Sequence, residues 1–217
     1  NDSTNKLSHS WDAQMRLEME YQIDSLNKLI LRPTISYTNN QSNSFNAYTF
    51  DRDTVIDTIG QVVRINDGYQ NQESLSEDIS AGLRAIYNRK FIRPGRALTM
   101  QANMNFTNTK GTTQTYAYDK MRGMALVDQR TLSGNDAYSY SLRTSYVEPN
   151  YKNNHLLELV LSVSGRNRIS EKNQFAKDSL TGEYTVYDSV YSNNLHNSLY
   201  SEQLELNYRW VDERFDL

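Results

Sequence analysis

Cysteine is absent from the 217 residues, which removes any disulfide framework, thiolate metal site or thiol nucleophile. The redox compartment is therefore unreadable. Long apolar runs are missing too. The longest unbroken ones, such as MALV at 124–127, fall far short of the roughly 18–20 residues of a membrane helix. Helical membrane proteins are thereby excluded. Membrane β-barrels are not, because their strands alternate and keep mean hydropathy low. Hydrophobic residues make up only 37% and mean hydropathy is -0.76, poor for a chain packing a thick interior, although the length suffices for one large β domain or two small ones. Net charge is only -3, so no nucleic-acid partner is expected. Nothing at the start reads as a signal peptide and the final ERFDL does not read as a natural end, so a segment of a longer or processed protein is expected.

What the sequence does have is alternation. Residues 11–24, WDAQMRLEMEYQID, place Trp11, Ala13, Met15, Leu17, Met19, Tyr21 and Ile23 against Asp12, Gln14, Arg16, Glu18, Glu20, Gln22 and Asp24 without an error. Period two means a β-strand, since successive side chains point to opposite faces. Six more segments behave alike: 29–39, 75–91, 97–107, 138–146, 156–166 and 199–210. Helical periodicity is not evident between them. The spacing predicts an all-β, antiparallel up-and-down meander of about seven long strands in a single domain.

The connections alternate as well. DSLNK, IRPGR and EPNYKNN are short and carry turn residues. The other three run to about 25–35 residues, are rich in Asn, Ser, Thr, Asp and Tyr, and hold glycines at Gly60, Gly134 and Gly182 that read as tips. The strands are expected to extend past the main sheet before turning there. Short turns at one end and long loops at the other is the habit of membrane barrels, whose outer face is apolar and whose lumen is polar. A tilted spanning strand needs about 9–11 residues, which the segments meet or nearly meet.

The phrases RLEMEYQIDSLNKLILRPTISYTNN, YNRKFIRPGRALTMQANMNFTNTKG and YSYSLRTSYVEPNYKNNHLLELVLSVSG, with DSLTGEYTVYDSVYSNNLHN before QLELNYRW, resemble the outer-membrane β-barrel family related to TonB-dependent receptors. The likeness runs along essentially the whole chain and lies in the order of strand, turn and loop phrases. It implies part of a large transmembrane barrel in the cell outer membrane, in contact with membrane lipid. It also implies a plug domain and energy-coupling machinery elsewhere in the full-length protein, and uptake of a polar solute such as a glycan or peptide. No plug sequence, energy-coupling box or aromatic-ended closing strand is matched within these residues.

Trp11, Tyr21, Tyr37, Tyr87, Phe91, Tyr146, Tyr208 and Trp210 lie toward strand ends, where rings with polar tips suit membrane interfaces. In a soluble sheet the same rings would be core. Arg16, Glu18, Glu20, Arg32, Arg84, Arg143, Glu158, Arg166, Glu205 and Arg209 fall mainly on the polar faces, as lumen-lining groups or as an ordinary solvated face with weak charge pairs. Asp51, Asp53 and Asp57 hint at a calcium loop but lack its sixth-position Gly and terminal Glu. His9, His155 and His196 are too scattered for a metal cluster. With no nucleophile and base arrangement, neither enzyme activity nor a cofactor is expected. The Asp-Ser/Thr-aliphatic triplets at 53–55, 57–59, 178–180 and 188–190 read as local turn chemistry, though some relatives of the barrel family carry O-linked sugars at such triplets. The competing reading is a soluble β-sandwich or meander serving binding or adhesion.

Overall fold

The computed structural model describes residues 2–56, 59–150, 155–212 and 215–216, and their side chains outside 52–63 and 211–217. The strands are β1 (Asp2–Arg16), β2 (Met19–Gln22), β3 (Asn27–Ile56), β4 (Ile59–Lys90), β5 (Ala97–Asp119), β6 (Met124–Asn150), β7 (His155–Lys177), β8 (Tyr184–Asp212) and the short β9 (Phe215–Asp216). Each pairs antiparallel with the next in the order β1-β3-β4-β5-β6-β7-β8-β9, while β2 also pairs with β3. Counting β1 and β2 as one interrupted strand, seven long strands form a single all-β meander. Among the described residues the sheet is open.

The interruption at Leu17–Glu18 has a local cause. Leu17 donates its amide to the Pro33 carbonyl at 3.1 Å, so the two residues form a hydrogen-bonded pair that should exchange two bonds. Proline has no N–H to return. The ladder breaks there and resumes at Met19, paired with Leu31.

Strands of 23–32 residues from β3 to β8 far exceed the usual 3–10. The strands extend past the main sheet as expected, so far that much of each long connection is paired strand. The Asn-, Ser- and Thr-rich segments continue as paired strands, because cross-strand bonding satisfies backbone groups that a free loop would leave to water. The described tight turns in that direction are Lys120–Gly123 and Asp178–Glu183. Gly123 and Gly182 sit there at positive φ, 66° and 74°, a conformation glycine adopts without strain. Gly182 is thus a tip as expected. Gly134 is not: it lies inside β6, opposite Lys110 and Glu171. Gly60 lies in β4, opposite Val55, and residues 57–58 are outside the described set.

A single sheet has no interior. The largest fully buried side chains among the described residues are Val160 and Pro149. Accessible surface is 15901 Å², against about 10,300 Å² for a compact monomer of this mass. No second layer covers either face among the described residues.

Candidate functional site: an apolar band and a polar wall

Register sorts the side chains into two faces. The first carries runs 11–23, 29–37, 79–87, 98–106, 138–146, 157–163 and 204–210, each apolar at alternate positions apart from Thr144. Met15, Leu17 and Met19 are about half exposed there, as are Ile35, Met104, Phe106 and Leu161.

The band does not run straight across the ladder. Hydrogen-bonded register links Pro33, Leu83, Met104, Tyr140, Gly165 and Tyr200 in one row, with Leu17 joined to Pro33. The midpoints of the apolar runs are 17, 33, 83, 102, 142, 160 and 207. Measured from that row, the midpoint coincides on the first three strands. It then slides toward the short turns by two residues on β5 and β6, five on β7 and seven on β8. A drift of seven residues at about 3.3 Å, over six steps of about 4.8 Å, is a slant of about 39° between band and row.

The slant organises the rings. At the long-arm border stand Trp11, Tyr37, Phe106, Tyr138 and Tyr200, with the Trp11 and Tyr37 centroids 5.4 Å apart. At the short-turn border stand Tyr21, Tyr87, Tyr146, Tyr208 and Trp210, with Phe91 edge-on to Tyr146 at 6.2 Å and His155 stacked on Tyr208 and Trp210. Of the eight rings expected at interfaces, the seven within strands lie on the apolar face and Phe91 follows just past the end of β4, though Tyr208 is nearer the middle of its run. Sequence reading did not name Phe106, Tyr138 and Tyr200 at the border: the first two end their apolar runs and were legible there, whereas Tyr200 reaches the border only through register.

The opposite face is polar. Arg16, Glu18, Glu20, Arg32, Arg84, Arg143 and Arg166 all belong to it by register. Arg32 and Arg84 are directly opposite, a repulsive placement that neighbours relieve. Arg32 grips Glu18 through two bonds, 3.1 and 3.2 Å, and Arg84 donates to Gln101 at 3.0 Å. Glu20 pairs with Lys28 at 2.5 Å and Arg143 with Glu205 at 3.7 Å. Arg16 and Arg166 have no carboxylate partner among the described residues and stand in one row, about 24 Å apart across five strand steps. Around them the wall is Ser, Thr and Asn, including Ser36 hydrogen-bonded to Ser80 and Asn103 to Ser141.

The short turns are held electrostatically. Arg93 and Arg96 both donate to Glu148, at 3.0 and 2.6 Å, and the Tyr146 hydroxyl donates to its other oxygen at 2.6 Å. The Arg96 bond, then the tyrosine bond, hold the Glu148 carboxyl below its ordinary pKa. Asp24 accepts from the Leu26 and Asn27 amides, closing the first turn. The Asn27 side-chain bond leads in keeping its pKa low.

The remaining candidates resolve toward structure. Asp51 is engaged by Arg64 at 3.0 Å, while the Asp53 side chain and Asp57 lie outside the described set. Among the described residues no group of three or more His, Cys, Asp or Glu could hold a metal ion. In the two described triplets, Asp178 accepts from the Leu180 amide and Asp188 from Val190 and Tyr191, which is local turn bonding. No helix among the described residues is long and apolar enough to cross a membrane, a fact silent on crossing by strands. Comparisons with protein-family models, curated proteins and solved structures find no match to this chain.

Proposed function

We propose that these residues form part of the wall of a large transmembrane β-barrel in the outer membrane, of the kind related to TonB-dependent receptors, which binds and takes up a polar solute. The slanted band carries the reading. Membrane barrels tilt their strands about 35–45° so that lipid meets a level apolar belt roughly 25 Å tall. A slant of about 39° levels the band here. The eight-residue spacing between ring rows in β3 to β6 then spans about 21 Å along the normal.

The rest follows from that orientation. The apolar face meets lipid and the aromatic borders meet headgroups. The polar wall faces the lumen, where Arg16, Arg84 and Arg166 are available to a plug or a passing solute. The long arms rise from the rim and meet the solute first. Further strands would pair with the two open edges, which hydrocarbon does not tolerate unpaired.

The test is cysteine labelling, position by position along 11–24, in the full-length protein in cells, with a membrane-impermeant and a lipid-soluble reagent. Odd positions should react only from lipid and even positions only from water. Odd positions shielded from both reagents would overturn the barrel and favour a soluble sandwich or meander module.

A further inference from the structure

Above the band, the lipid-side face of the arms carries a second group of rings. Phe45 on β3, Tyr69 on β4, and Tyr116 and Tyr118 on β5 form one patch, with Phe45 and Tyr69 stacked at 5.7 Å. Tyr69 lies 6.1 Å from Tyr116 and 5.6 Å from Tyr118, and the last two stack at 6.5 Å. They stand eight to twelve residues beyond the border of the band on their own strands, about 20–30 Å higher along the normal. Hydrocarbon does not reach that level.

The surroundings of the patch are polar, amides together with charged groups. Asn71 sits between Phe45 and Tyr116 in one ladder row, and Asn43, Glu73 and Gln114 occupy the next row down, with Asp128 opposite Tyr116 and Arg130 opposite Gln114. None of these three amides has a hydrogen-bond partner among the described residues. Flat rings framing free donors and acceptors match the two sides of a pyranose: an apolar C–H face and an equatorial fringe of hydroxyls. A protein partner would favour aliphatic contacts, which are sparse here.

We propose that Phe45, Tyr69, Tyr116 and Tyr118, with Asn71 among them, form a saccharide-binding platform for the sugar portion of the glycolipid in the surrounding outer leaflet. Placement decides the source. The platform continues the face that meets lipid below, so the sugars it adjoins are those rising from the same leaflet, whereas an incoming solute approaches the arm ends and the polar face. This assignment rests on the barrel reading.

The test uses the full-length protein in detergent micelles. The probes are surface glycolipid isolated from the cells that make the protein, the saccharide released from it by mild acid, and the acylated remainder. Wild type should bind the intact glycolipid and the released saccharide. Tyr69→Val with Tyr116→Val preserves strand propensity and should weaken saccharide binding about tenfold, roughly threefold per ring. Tyr69→Phe with Tyr116→Phe should retain it, and Asn71→Ala, which leaves every ring in place, should weaken it several-fold. Binding confined to the acylated remainder, or saccharide binding equal in the valine and wild-type proteins, would overturn the platform. So would preference for soluble glycans unrelated to the cell's own glycolipid. Failure of the barrel reading is seen separately, as Met15 and Met19 shielded from the lipid-soluble reagent whatever the saccharide result.

Discussion

Leu83 and Tyr200 occupy the same ladder row, four strand steps apart, yet in the proposed barrel the slant puts them at different depths. Leu83 is the midpoint of its apolar run. Tyr200 lies seven residues from the midpoint of its own, about 18 Å along the normal after correction for tilt. That exceeds half the thickness of the hydrocarbon. Arginine on the lipid face of a barrel costs about 2–4 kcal/mol at the midplane and about 0–1 near the interface. Leu83→Arg should therefore destabilise by about 2–4 kcal/mol and Tyr200→Arg by less than about 1, although both side chains are substantially exposed and share one face. The assay is guanidinium unfolding of the full-length protein in lipid vesicles, followed by tryptophan fluorescence and by the mobility difference between folded and unfolded forms on unheated gels. Equal costs would refute the slant, since equal depth along a row is what strands perpendicular to the membrane plane would give.

Three further outcomes are expected. Pro33→Val returns the missing donor to Leu17 and should join β1 to β2, adding about 0.5–1.5 kcal/mol; hydrogen exchange should show residue 33 protected, and rapid exchange there would contradict the cause assigned to the break. A Cβ on Gly165 would run into the Tyr140 ring, so Gly165→Ala should cost about 1–3 kcal/mol, and a double-mutant cycle with Tyr140→Ala should recover most of it; additive losses would show the ring is not the obstacle. Glu148 has a lowered pKa when folded, so its contribution is complete above the unfolded carboxylate value and lost as pH falls through the folded one. Thermal stability should fall below about pH 4.5, and Glu148→Gln should flatten that dependence; identical profiles would remove Glu148 as the cause.

Strand identity and facing were legible because both are set by nearest neighbours. Period two in residues 11–24 assigns Met15 and Arg16 to opposite faces whatever the sheet pairs with. For that reason all ten charged residues named for the polar faces share one face, and the seven named rings that lie within strands share the other. The arm turns were partly legible. Asp178 and Gly182 bracket one turn at the same spacing as Asp119 and Gly123 bracket another, and Asp119 accepts from the Met121 and Arg122 amides as its first residue. That shared Asp-x-x-x-Gly spacing marks both turns in the sequence, whereas Gly134 opens onto free space and needs no glycine.

By itself, then, the sequence determined that the chain is all strand, which side chains share a face, and that one face is apolar over a limited height. These follow from local geometry and composition. The tertiary structure decided how far the strands extend, which residues share a row, and where along the slanted band each ring lies. Those depend on register between strands up to dozens of residues apart, and register is chosen by the summed pairing of whole ladders. A slant of one residue or so per strand is invisible within any single strand and becomes about 39° only when seven are laid side by side.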